Sequence, residues 1–143
     1  MAVTIRSALA SAVDSAATDA AAAQLASDLG ANAVIEIRTG TKPATPETAA
    51  SGTLLASVTI ASWTAATGGT GTVTGSNPAA VTVAATGTAG HFRAKQSGGT
   101  AVIDGTVGTS GADLNLDSVS LVSGGSLDLG APVFTYPVTV PVS

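Results

Sequence analysis

The chain has 143 residues, of which 45% are apolar and only 10% charged, against roughly a quarter in typical soluble domains. One histidine and no cysteine exclude disulfide frameworks, thiol redox motifs and most metal sites. Five basic against nine acidic residues, a net charge of −4, exclude the clustered Lys and Arg that nucleic acid requires.

A mean hydropathy of +0.45 argues against disorder. No run reaches the roughly 18 apolar residues of a membrane span. Ser, Thr and Asp break up the first twenty residues, so no signal-peptide core stands out and synthesis in the cytoplasm is expected. The length suits one domain with an appended arm.

The predicted elements begin with an Ala-rich helix over residues 5–29. Ile5, Leu9, Val13, Ala16, Ala20 and Ala23 recur at helical steps, and Leu25 and Leu29 extend an apolar stripe. Gly30 and Asn32 supply a stop, while Ser15 and Thr18 are candidate break points. A stripe of alanines buries little surface, so this helix needs a close partner, its own domain or another chain, and docking between subunits is the expectation.

From residue 33 the pattern turns to β. Ala33–Arg38 alternates, with Ile35 and Ile37 opposite Glu36 and Arg38. A loop with two prolines, residues 40–47, precedes a strand over 53–61 whose buried face is Leu54, Ala56, Val58 and Ile60. Residues 66–78 read as loop or short edge strands, and 80–85 as a short strand. His91–Lys95, the Gln96–Gly99 turn and Thr100–Thr106 form the clearest hairpin. A glycine-rich loop is predicted over 105–111. Short strands then surround Leu114 and Leu116 and flank Gly124–Gly125. Phe134 and Tyr136 lie in a last extended segment that Pro132, Pro137 and Pro141 confine to an edge or tail. Many short strands with regular turns predict a mainly β chain: an antiparallel β-sandwich or jelly-roll-like domain over 33–130, an N-terminal helical arm over 1–32 and a Pro-rich extended segment over 131–143.

Candidate chemistry is sparse. His91, the sole histidine, alternates with Arg93 and Lys95 on a face that reads as solvated or as a contact surface. Asp113, Asn115 and Asp117 share one strand face and match the first positions of an EF-hand loop. The match then fails, because Ser118 stands where Gly is needed and Gly124 where Glu belongs. Gly105–Gly111 lacks the lysine of a phosphate loop and no helix follows it. Asp104, Asp113, Asp117 and Asp128 are the carboxylates available for paired acid–base work, with no spacing that selects two of them. The threonines at 82, 86 and 88 lack the regular array of an ice-binding surface and fit ordinary strand propensity. Trp63 and Tyr136 are the side chains available for stacking on a sugar. No catalytic, cofactor or metal set emerges, and the expectation is a chain that is not an enzyme.

Two blocks carry a resemblance. One is Ile35-Glu36-Ile37-Arg38-Thr39-Gly40-Thr41-Lys42-Pro43-Ala44-Thr45 followed by Gly52-Thr53-Leu54-Leu55-Ala56. The other runs from Thr88-Ala89-Gly90-His91-Phe92-Arg93-Ala94-Lys95 through Ser97–Val107 to Gly108-Thr109-Ser110-Gly111-Ala112-Asp113-Leu114-Asn115-Leu116. Together they resemble a family of small structural proteins of tailed bacteriophages and prophages, in which Trp often stands where this chain has His91. The resemblance implies a virion component, most simply a minor capsid or decoration protein at the capsid surface. Its implied partners are the major capsid protein and further copies of itself, as a trimer. A tail-tip or fibre-associated module that recognises host glycans is the alternative.

Overall fold

The computed structural model describes residues 7–135. Its first element is helix α1 (Ser7–Leu29), continuous through Ser15 and Thr18. Gly30 ends it with φ +67° and donates its N–H to the Ala26 carbonyl, and Asn32 follows at φ +58°. These two left-handed residues turn the chain straight into the first strand.

The predicted stripe holds at Leu25 and Leu29 but not at its alanines. Ala16, Ala20 and Ala23 are exposed, whereas Thr18, Ala22 and Leu29 are buried and Leu25 is half-buried. Alanine occurs on every side of this helix and cannot orient it, so the two leucines near its end set the face. The helix rests on its own domain. Leu29 belongs to the core, Asp19 accepts hydrogen bonds from the Gly68 and Gly69 amides (3.2 and 2.9 Å), and Gln96 donates to the Asp28 carbonyl at 2.7 Å. The described part of the helix is therefore no free arm, and the β domain is not complete without it.

Eleven strands follow among the described residues: β1 (Ala33–Thr39), β2 (Leu54–Ile60), β3 (Trp63–Ala65), β4 (Thr72–Gly75), β5 (Val81–Thr82), β6 (Gly87–Lys95), β7 (Ala101–Gly108), β8 (Leu114–Asn115), β9 (Ser120–Leu121), β10 (Ser126–Leu127) and β11 (Val133–Thr135). The main sheet runs β2-β1-β6-β7-β8, with β9 added to the start of β6. All of its pairings are antiparallel except β7 with β8. A three-stranded antiparallel sheet, β11-β4-β3, and a β10-β5 ribbon complete a mainly β, sandwich-like fold with its helix at the N-terminus.

Register places the core. Ile35 pairs with Val58 and Ala94, and Ile37 with Ala56 and Phe92, so one face of the main sheet is wholly apolar. A bulge beside Arg38 leaves Leu55 as the extra residue of β2, and it is fully buried, beyond the alternating face predicted there. On this face the Phe92 ring stacks on Phe134 with centroids 5.1 Å apart, and Phe134 stacks on Trp63 at 5.6 Å. This aromatic column joins the two sheets.

Two glycines permit close approaches. Gly105 sits directly opposite Phe92, and a Cβ there would fall 2.3 Å from the ring. Gly90 packs so tightly on Gly40 that a Cβ would fall 2.2 Å from the Gly40 oxygen.

Other expectations shift. Gly105–Gly108 is strand rather than loop, so the turn begins later, at Thr109. The strands flanking Gly124–Gly125 do not pair with each other, since β9 joins β6 and β10 joins β5. Pro132 and Phe134 are buried, which makes residues 131–135 part of the β domain; Tyr136, Pro137 and Pro141 lie outside the described residues.

Candidate functional site

The second face of the main sheet carries His91, Arg93 and Lys95 from β6, Glu36 and Arg38 from β1, and Asp104 from β7. Sequence pattern reads the side of His91, Arg93 and Lys95 as solvated or as a contact surface; in the fold His91 has no exposed surface and Arg93 is 5% exposed. The cover is the proline-containing loop, residues 40–53. Arg93 donates through Nη2 to the Thr48 carbonyl at 2.7 Å, and His91 donates through Nδ1 to the Gly40 carbonyl at 3.0 Å. Thr39 and Thr53 close the loop's base: the Thr39 amide donates to the Thr53 carbonyl, and the Thr53 amide to Thr39 Oγ1. Alternation alone does not reveal that a loop folds back over the polar side.

Beneath the loop, charge runs across three strands in register. Glu36 pairs with Arg93 and Arg93 with Asp104 as backbone neighbours. The Arg93–Asp104 contact is a two-pronged ion pair, Nε to Oδ1 at 2.7 Å and Nη2 to Oδ2 at 2.8 Å. Both side chains are almost fully buried, at 7% and 2% exposure. The hydrogen bond that Arg93 donates to Asp104 raises the Arg93 pKa above its ordinary value despite the opposing effect of burial.

Glu36 is held by Lys95 and by Arg38, the latter at 2.8 Å. Burial pushes the Glu36 carboxyl up, but the hydrogen bonds from Lys95 and Arg38 outweigh it and leave the pKa below the ordinary 4.5. A carboxyl depressed on folding stabilises the native state above its unfolded pKa, and that contribution disappears as pH falls through the folded value. Stability measured by urea unfolding is therefore expected to drop as pH falls below about 4.5, and Glu36→Gln to flatten that drop. An unchanged pH slope in the variant rejects this assignment.

The other face borders a cleft of about 460 Å³ between α1, β7 and β11. Asp104 and Asp113 both reach it, but each is engaged elsewhere. Arg93 holds Asp104, and Asp113 Oδ2 accepts from the Thr106 amide at 2.9 Å and hydroxyl at 3.1 Å. Asn115 accepts from the Ala112 amide, so the Asp-x-Asn stretch folds its own turn. Asp117 and Asp128 share a smaller cleft, where Asp128 accepts from the Gly130 amide. The structure thus sorts the four carboxylates into two pairs, with His91 lining neither cleft. Among the described residues no three acidic or imidazole groups converge as a metal site. Trp63 is partly buried: one ring face stacks on Phe134, and Nε1 is shielded from solvent. Among the described residues no helix is long and apolar enough to cross a membrane.

The two blocks of the phage resemblance meet in space. Gly40 of the first touches Gly90 and His91 of the second, and Glu36 of the first lies beside Arg93 of the second. The second block's Asp113 binds back to Thr106, and its Leu114 pairs with Val107. No family model, curated protein or solved structure matches the chain.

Proposed function

We propose that this chain is a non-enzymatic structural protein of a bacteriophage virion, a minor capsid or decoration protein that binds and stabilises the capsid lattice. The observation that carries the reading is what the resemblance residues do. Gly40, Gly90, His91, Arg93, Asp104 and Asp113 fasten a loop and a turn to the central strands. They act as framework, which suits a protein selected for shape and durability.

The composition fits the same role. A chain with 10% charged residues and 29 alanines has a thin core, and contacts with a lattice and with further copies of itself would add to it. Its partners on this reading are the major capsid protein and further copies of itself, most simply as a trimer, at the capsid surface, with the chain synthesised in the host cytoplasm. For the glycan-binding alternative, Trp63 has one ring face occupied by Phe134, and Tyr136 lies outside the described residues.

Quantitative mass spectrometry of purified particles tests the assignment. Lattice decoration requires on the order of hundreds of copies, in proportion to the major capsid protein. A count of about six or fewer, matching the symmetry of a neck or tail tip, overturns it.

A further inference from the structure

His91 is the one histidine of the chain, and its ring is fully buried. The Gly40 carbonyl accepts from Nδ1 at 3.0 Å, which fixes the proton of the neutral ring on that nitrogen. Nε2 is shielded from solvent and has no hydrogen-bonding partner among the described residues. In the neutral ring Nε2 is a lone pair, and the fold holds it. A protonated ring would carry a second N–H there, and a positive charge, with no group placed to receive either.

The surroundings supply no counter-ion. In register, His91 lies between Arg38 on β1 and Thr106 on β7, and Arg93 is two residues along its own strand. The carboxylates of this face are engaged, Glu36 by Lys95 and Arg38, and Asp104 by Arg93. Asp113, beyond Thr106, accepts from the Thr106 amide and hydroxyl. From the covering loop, Lys42 and Glu47 are exposed to water. A cation at His91 would therefore add to the two arginines of this covered face. Protonation would strengthen the bond to Gly40, since charge-assisted bonds are roughly twice as strong as neutral ones. That gain is smaller than the cost of keeping an uncompensated charge out of water.

The smallest response is local. Gly40 is the first residue of the 40–53 loop, and its oxygen lies against both the His91 ring and the Gly90 backbone. The middle of the loop is held separately, by Arg93 on the Thr48 carbonyl, and a guanidinium keeps its charge in neutral and acid solution. Moving Gly40 off the ring admits water to Nε2 without disturbing the Arg93–Asp104 pair. The linkage has one sign. The closed loop accepts only the neutral ring and the opened loop accepts both forms, so acid favours opening.

We propose that protonation of His91 releases the Gly40 end of the 40–53 loop, an acid-opened flap that stays anchored at Thr48 over the polar face of the main sheet. Histidine is the side chain whose ordinary titration lies between about pH 5 and 8. The inference does not depend on the virion reading.

Nuclear magnetic resonance of the full chain from about pH 8 to about pH 5 tests it, a range above that in which Glu36 titrates. With a single histidine, the ring signals are unambiguous. The proton is expected on Nδ1 at the upper limit. As the ring is protonated, the Thr39 and Thr53 amides that close the base of the loop are expected to lose protection by about tenfold per pH unit, the slope of a one-proton equilibrium. Signals of residues 40–44 shift with the same midpoint, while the Ile35 and Ala94 amides at the centre of the sheet keep their protection. His91→Asn retains a donor for Gly40 and does not titrate, so its loop is expected to stay closed over the whole range. The unaltered chain carries the test whether or not this variant folds. A ring that protonates while Thr39 and Thr53 stay protected overturns the flap, as does a ring still neutral at the lower limit. Acid opening that persists in a folded His91→Asn chain overturns the role of His91.

Discussion

Replacing Arg93 by methionine is expected to destabilise the domain by about 3–5 kcal/mol, measured by urea unfolding at neutral pH. Removing one member of a buried ion pair costs more than the pair itself contributes, because the remaining charge keeps its desolvation penalty without compensation. Asp104, 2% exposed at its side chain, would be left in that condition. The Thr48 carbonyl would lose its charged donor as well, releasing the middle of the 40–53 loop. The double variant Arg93→Met/Asp104→Leu removes both charges and is expected to recover a substantial part of the loss. Recovery distinguishes an electrostatic cause from a packing one; a double variant no better than the single change would show that Arg93 acts mainly through its contact with the loop.

The fold was largely legible because its main strands obey simple alternation. Ile35, Ile37, Val58 and Ile60 lie on the buried face where period-two patterning puts them, and Gln96–Gly99 turns the hairpin as its glycines require. The helix was legible as a helix but not in its orientation, since alanine marks no face. The covered polar face was illegible for a different reason. Alternation reports which residues share a side, not whether a later loop lies on that side. Arg93 and Asp104 face each other across the predicted hairpin, but the pairing of Glu36 with Arg93 is a property of register between strands about sixty residues apart, and periodicity within a strand carries no register. The signal that existed was chemical: Glu36, Arg38, Arg93, Lys95 and Asp104 alternate on strands with apolar neighbours, and opposite charges so placed can neutralise one another under a cover. Bulges obscured the rest, as with Leu55, where one extra residue reverses the face that counting assigns.

Phe134→Ala is the second large effect expected, at about 3–5 kcal/mol. Read from sequence, Phe134 belongs to a Pro-rich extended segment at an edge or tail. In the structure it is the middle ring of the column Phe92–Phe134–Trp63 and the only aromatic contact between the main sheet and the β11-β4-β3 sheet among the described residues. Truncation leaves a cavity lined by two rings that the backbone of β11 cannot collapse to fill, since Pro132 and the β4 pairing hold that strand in place. Domains of this size have total stabilities of about 5–15 kcal/mol, so the loss is a large fraction of what holds the fold. Val133, next in the chain but 49% exposed, provides the control: Val133→Ala is expected to stay within about 0.5 kcal/mol. Amide exchange adds a spatial test. The Phe134 variant should lose protection first in β3 and β4, whose attachment to the main sheet runs through this ring, while β1 and β6 retain theirs. Equal loss across both sheets would mean that the column does not join two separable layers, and equal cost at Val133 and Phe134 would mean that β11 is held by its backbone pairing rather than by its ring.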